Sequence, residues 1–483
     1  MRHAAGRLEA FGLYSKARRA MSTSILPVPS PPTFGITFCA RPGEPERVDV
    51  AVATDEGRKS LDEAAAHLRR GELVAFPTET VYGLGACALR AESAAKIYQA
   101  KNRPMDNPLI VHVSDRAMLR RLVPASYEVN GVCSVLMDTF WPGPLTLLFP
   151  VGAESGTPLV PRTVTCGQQT VGVRMPSHPI ARALIALADV PIAAPSANAS
   201  GRPSPTSAAH VYHDLAPKGV LKYIVDGGAC SVGVESTVVD AVTVPGEVRV
   251  LRPGGVSVEA LQDALAAHGL LAGAPNATSD AAELRVYGKT LERTKAAEET
   301  PTTPGMKYRH YSPEARVLLV QHAATSDVSL RALLEKQCAA LQEAAAGAHD
   351  ATAARRHAGA TRIGVMCAVD SPLMAVVAEL APLLSSWAHE RRAEAGSSRL
   401  SPVVAVGAQR VCVYSLGLLA TPAMAAQRLF DGLRTLDAEV EWDGAAGPCD
   451  LILVEEIPET GMGLAVMNRL QKAATETVAI GRI

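Results

Sequence analysis

Apolar residues in this chain fall either into short unbroken runs or into stripes at helical spacing, and the sharpest break lies in residues 71–85, GELVAFPTETVYGLG. Leu73 to Phe76 have the length of a buried strand, and Pro77, which cannot donate to a ladder, marks its end or edge. Beyond it come hydroxyls, one carboxylate and two glycines, a cluster that either forms an ordinary tight turn or floors a ligand site. Just upstream, Ser60-Leu61-Asp62-Glu63 reads as a capping box, and Leu61, Ala64, Ala65 and Leu68 form an apolar stripe before Gly71, so a helix feeds this strand. Downstream the pattern predicts strands over Leu109–Val113, Leu145–Phe149, Val171–Arg174, Ile192–Ala194, Tyr223–Asp226, Thr237–Ala241 and Val248–Leu251. Helices are predicted over Glu92–Gln99, Asp115–Leu122, Pro179–Ala188 and Val258–His268. The absence of strict alternation points to an α/β domain built on a twisted, mixed sheet.

After residue 313 the rhythm becomes regular. Strands at Val317–Val320, Arg362–Met366, Val411–Ser415 and Leu451–Glu455 alternate with helices near 329–346 and 373–384, then Met424–Leu436 and Leu464–Ala474. Such alternation predicts a smaller, Rossmann-like parallel α/β domain. Four segments follow: residues 1–56 as an unstructured N-terminal extension, 57–265 as the first domain, 266–313 as an interdomain linker, and 314–483 as the second domain. Within the extension, 25–47 is rich in Pro and Gly and reads as a linker. Residues 347–360 and 388–408 read as surface insertions.

Composition narrows the class. A length of 483 residues exceeds one ordinary core, and aromatics are only 4%, so the cores must be filled by Ala, Val, Leu and Ile. A net charge of −1 gives no global attraction to nucleic acid, and phosphate binding would need a local basic patch. Nine scattered cysteines without a CxxC pair argue for a reducing compartment rather than disulfides or zinc. Two glycosylation acceptor patterns, at Asn198 and Asn276, have no consequence without a secretory signal. No apolar stretch approaches the ~18 residues of a membrane span, which predicts a soluble, cytoplasmic protein. The basic residues of 1–24, with Glu9 the one acid among them, leave mitochondrial targeting as the alternative.

The chemistry-bearing residues sit at predicted strand ends. Lys101, Asn102 and Arg103 precede strand Leu109–Val113, a placement that suits an oxyanion-rich ligand or a solvated loop. His112 lies among apolar neighbours, the usual setting of a hydrogen-bonded core histidine. Arg174 ends an apolar strand and requires an anion nearby, either a salt-bridge partner or a ligand carboxylate. Ser196 to Ser204, Gly233 to Thr237 and Arg252 add hydroxyls, small residues and cations. There is no GxxxxGK[ST] loop, dinucleotide fingerprint, G-x-S-x-G elbow or HExxH pair. What remains fits a pocket that binds phosphate and carboxylate and works by positioning and charge stabilisation.

Taken together, Pro77-Thr78-Glu79-Thr80-Val81-Tyr82-Gly83-Leu84-Gly85, Lys101-x-Arg103 with Asn107-Pro108-Leu109, Ser196-x-Asn198 and Glu235-Ser236-Thr237 resemble the YrdC-like threonylcarbamoyl-AMP synthases. Gly305 to Pro313 resembles the linker of the long form, and Asn468 to Ala474 the end of its second domain. The resemblance implies a nucleotidyltransferase that joins L-threonine, bicarbonate or CO2, and ATP into threonylcarbamoyl-AMP and pyrophosphate. A downstream threonylcarbamoyl transferase complex then modifies tRNA adenosine next to the anticodon. It further implies that Thr78, His112, Arg174, Ala194 and Ser236 hold threonine. ATP would be held by Arg103, Asn107, Thr170, Ser196, Ser204, Arg252 and Tyr311, with Lys101 and Asn198 along the phosphates. Lys101, Arg103 and Asn198 are the residues nearest the chemistry on this reading. Mg2+ is expected on the phosphates without a dedicated protein cage. Lys307 to Tyr311 would close over the nucleotide as a lid. Glu79 has no role on this reading, and direct contact with tRNA or double-stranded RNA without ATP turnover is the competing one.

Overall fold

The computed structural model describes residues 22–28, 35–154, 157–291, 310–323, 326–346, 360–393, 399–407, 409–438, 440–442 and 445–481. The basic stretch before residue 22, the linker residues Gly305 to Arg309 and most of 347–360 lie outside them.

The first domain is built on an 11-stranded mixed sheet. In spatial order its strands are Ser24–Pro27, Tyr223–Asp226, Val74–Phe76, Gly83–Cys87, Ile192–Ala193, Val111–His112, Thr170–Arg174, Leu145–Pro150, Thr237–Asp240, Glu247–Arg252 and Glu283–Val286. Val74–Phe76 stops at Pro77 and pairs antiparallel with Gly83–Cys87, so residues 77–82 are the crossing between two central strands. Phe76 explains Gly85: a Cβ there would lie 2.7 Å from the Phe76 ring and 2.8 Å from Ile192. Helix Asp55–Arg69 buries Leu61, Ala64, Ala65 and Leu68 completely, the stripe anticipated from spacing.

The second domain is a 6-stranded sheet in the order Val404–Val406, Gln409–Ser415, Arg362–Cys367, Leu451–Glu455, Arg316–Ala323, Glu476–Gly481. All neighbours are parallel except the first pair. Both faces are covered, which is why its strands read as continuous apolar runs. Val317 and Leu319 pack toward helices Pro422–Ala438 and Gly463–Ala473, whereas Leu318 and Val320 pack on the opposite face. The former face also takes up Val81, Val234 and Tyr311, so the second domain lies against the 77–82 crossing. At Gly233 (φ +78°) a Cβ would stand 2.4 Å from the Gln427 backbone, and only glycine permits that approach. No helix among the described residues is long and apolar enough to cross a membrane.

Several boundaries differ from the sequence reading. Residues 1–56 are not all unstructured: Ser24–Pro27 pairs in parallel with Tyr223–Asp226, and Ile36–Arg41 forms a hairpin with Glu44–Val52. Pro42-Gly43 is the hairpin turn, with Gly43 at φ +78°, rather than linker sequence. The Ser60–Glu63 capping box is not a cap. Thr54 caps the helix by accepting from Gly57 N, and Ser60 instead donates to Pro27 O at 2.9 Å, fastening the added edge strand. The expected strand Leu109–Val113 shortens to Val111–His112. Within 266–313, Glu283–Val286 extends the large sheet beside Glu247–Arg252, so the linker begins later than composition indicates.

Candidate active site

A cleft opens at the 77–82 crossing. Of the fourteen residues anticipated, eleven line it: Thr78, Lys101, Arg103, His112, Arg174, Ala194, Ser196, Asn198, Ser236, Arg252 and Tyr311. Asn107, Thr170 and Ser204 do not. Asn107 is buried and its carbonyl accepts from Arg103 (3.2 Å) and Tyr98 (3.1 Å), so it steadies Arg103 from behind. Thr170 opens strand Thr170–Arg174, opposite Pro150. Ser204 is fully buried and donates to Glu235 at 2.6 Å.

Arg174 ends its strand with a guanidinium fixed on three sides. Nε donates to Gly143 O (3.2 Å), one terminal nitrogen donates to Thr80 Oγ1 (2.8 Å), and the other meets Glu79 Oε1 at 2.6 Å. The hydroxyl of Thr78 donates to Val81 O (2.7 Å), so the 2.7 Å contact between Thr78 and Thr80 has Thr80 as donor. The result is a directed chain from Arg174 through Thr80 and Thr78 to the backbone. Burial would raise the Glu79 carboxyl, but the Arg174 charge and hydrogen bond hold it below its ordinary value. Glu79 is thus the residue that sequence reasoning missed. Its signal was present in Arg174 itself, a cation at an apolar strand end that needs an anion.

Lys101 is 2% exposed, and its ammonium donates to Ser196 O (2.5 Å), Asn198 O (2.5 Å) and Asn198 Oδ1 (3.2 Å). Its three N–H donors all meet oxygens of the 196–198 loop, so Lys101 ties that loop to its helix at the edge of the cleft. Arg252 donates through Nε and a terminal nitrogen to Ser236 O (3.1 and 2.9 Å). Burial, then the nearby Arg469 charge, lowers its pKa to about 10, and Arg174 contributes in the same direction. Arg174 and Arg252 lie in one cross-strand row, linked through Thr146 and Val238, and both line the cleft, which gives it two anion-binding groups. Tyr311, in the left-handed region at φ 68°, packs its ring on Phe430 of the second domain with centroids 5.1 Å apart. Next to it, Ser312 N donates to Gly201 O (2.9 Å). Of the proposed lid, only His310 and Tyr311 are described, and both line the cleft.

His112 lines the cleft and packs edge-on against Phe76. Burial, reinforced by Arg174, lowers its pKa to about 3, so it is a neutral imidazole at working pH. Burial likewise lowers His178 and His310 to about 4. These groups are depressed relative to ~6.5 in the unfolded chain, which then binds more protons below that pH. Their contribution to stability is complete above pH ~6.5 and is lost as pH falls toward 4 and 3. Melting temperature should therefore drop measurably between pH 7 and pH 5, before the ion-paired Glu79 and Glu235 protonate; a flat profile there would contradict neutral buried histidines.

The cleft, lined by Lys101, Arg103, Arg174 and Arg252 and by several hydroxyls, has the chemistry of an enzyme site for anionic ligands. Residues 66–254 match the family model described as "Telomere recombination", and 256–475 match "Threonylcarbamoyl-AMP synthase, C-terminal domain". The chain is 40% identical to threonylcarbamoyl-AMP synthase of Schizosaccharomyces pombe over 450 residues, covering 89% of this chain and 92% of that one. It is 37% identical to the Pyrococcus abyssi threonylcarbamoyl-AMP synthase, covering 85% and 93%. A crystal structure of P. abyssi Sua5 complexed with L-threonine superposes with a TM-score of 0.62 at 34% identity, covering 95% of this chain and all of that one. The chain belongs to the threonylcarbamoyl-AMP synthase family.

Proposed function

We propose that the protein forms threonylcarbamoyl-AMP and pyrophosphate from L-threonine, bicarbonate or CO2, and ATP. The observation that carries this reading is that Arg174 and Arg252 line one cleft, which supports a carboxylate on the first and phosphate on the second. Arg174, held by Glu79 and Thr80, keeps donor capacity for the threonine carboxylate, with Thr78, the neutral His112, Ala194 and Ser236 around it. Arg103, Ser196, Arg252 and Tyr311 take ATP. A carbamate on the threonine amine attacks the α-phosphorus; the new P–O bond forms as the bond to pyrophosphate breaks. The nucleophile is carried by substrate, and the protein supplies alignment and positive charge.

Magnesium enters with ATP as part of the substrate. Glu235 is the one acid among the residues lining the cleft, and its oxygens are taken by Ser204 and Arg469. Among the described residues no group of three or more His, Cys, Asp and Glu is arranged to hold a metal. The product serves tRNA threonylcarbamoyladenosine synthesis through a downstream transferase complex, in the cytoplasm. The decisive assay is pyrophosphate release from ATP with threonine and bicarbonate each omitted in turn. Release should require both, and equal release without threonine would overturn the reading.

A further inference from the structure

No described residue of the second domain lines the cleft, but Arg469 holds one that does. Arg469, on helix Gly463–Ala473, has no exposed surface, yet it points out of its own domain. Its Nε donates to Glu235 Oε2 at 3.0 Å, and a terminal nitrogen donates to Pro253 O. The other Glu235 oxygen accepts the Ser204 hydroxyl at 2.6 Å. Glu235 is the sole carboxylate among the residues lining the cleft, where the cations are Lys101, Arg103, Arg174 and Arg252. Burial would raise its carboxyl, but Arg469 first and Arg252 second hold it below the ordinary value, so it is ionised. An ionised carboxylate facing a triphosphate across a desolvated cleft opposes binding strongly, because charge interactions there are weakly screened.

We propose that Arg469 is a positioning residue for the nucleotide: it masks the charge of Glu235 and fixes that carboxylate as the acceptor for Ser204. The second domain thereby completes the ATP subsite without touching ATP. This inference rests on the assignment of the Arg252 side of the cleft to ATP. It gives the second domain an electrostatic task beyond covering the site. Simple fastening of the two domains is a different matter, served by Arg434 on Asp214 (2.8 and 3.1 Å) and Arg202 on Asp437 (2.9 Å).

The test measures equilibrium binding of ATP to the full chain, with threonine binding and thermal melting alongside, for Arg469→Ala, Arg469→Gln, Glu235→Gln and the double variant Arg469→Ala/Glu235→Gln. Loss of the arginine alone exposes the carboxylate, and ATP binding should weaken at least about tenfold while threonine binding moves less than about threefold. Glu235→Gln keeps an acceptor for Ser204 and removes the charge. In the double variant, ATP affinity should therefore return to within about threefold of the parent, although the interdomain contact is still missing. A double variant that binds ATP as poorly as Arg469→Ala, or a single variant that weakens both ligands equally, would overturn the proposal in favour of a purely structural arginine. Should Arg469→Ala fail to fold, Arg469→Gln with and without Glu235→Gln decides the same question, because it too removes the masking charge. Because binding is the readout, a parent chain that binds ATP yet releases no pyrophosphate counts against the synthase reading alone. A parent chain that does not bind ATP overturns both.

Discussion

Arg174→Ala should raise the KM for threonine by about two orders of magnitude, with the KM for ATP changed far less. A hydrogen-bonded ionic contact contributes about 1.5–3 kcal/mol, and the variant removes the group assigned to the substrate carboxylate. It also removes the partner of Glu79. That carboxylate is 5% exposed and 2.6 Å from the guanidinium, and stranding it costs about 3–5 kcal/mol of stability. The two effects separate experimentally. Arg174→Ala/Glu79→Gln should recover most of the melting temperature and none of the threonine affinity, because the buried charge is gone but the ligand contact is still absent. A parallel rise in both KM values would instead mean that Arg174 only supports the wall between the two subsites.

How much of this site was readable from the chain depends on the distance between partners. The strand ending at Pro77, the apolar stripe from Leu61 to Leu68 and the alternation of the second domain are local patterns, and the structure contains each of them. The strand-end loops with their cations were also visible, and ten residues on or beside those strand ends meet at one cleft with Tyr311 of the linker. Pairings across the chain were not visible. Glu79 acquires meaning only beside Arg174, and Glu235 only beside Arg469 on another domain. Likewise, Ser24–Pro27 is four residues long, and what makes it a strand is an open edge at Tyr223–Asp226. Pro42-Gly43 carries the same composition whether it is a linker or a hairpin turn; the strands on either side decide, and their inner residues pack against a helix remote in sequence.

Lys101→Met should cost both stability and nucleotide binding, and the combination distinguishes two roles that the same lysine could play. Methionine matches the length of the stem but leaves Ser196 O and Asn198 O without their buried donor, while Asn198 Oδ1 keeps only the Ser196 hydroxyl. At about 1–3 kcal/mol for each buried group left unpaired, less whatever relaxation recovers, the loss is about 3–5 kcal/mol and several degrees of melting temperature. The loop that loosens also carries Asn198, whose amide donates to Ala199 O (2.8 Å) and Arg202 O (2.9 Å), and Gly201, which anchors Ser312 beside Tyr311. Disorder there removes the Ser196 contact and the Tyr311 cover together, so kcat/KM for ATP should fall at least about a hundredfold. A lysine that simply contacted phosphate would behave otherwise, losing ATP affinity with an unchanged melting temperature. Burial, then the Arg103 charge, draws the Lys101 ammonium well below its usual range, and the Asp214 charge opposes that shift. Measuring melting temperature and ATP kinetics on one preparation therefore decides whether Lys101 holds the loop or the nucleotide.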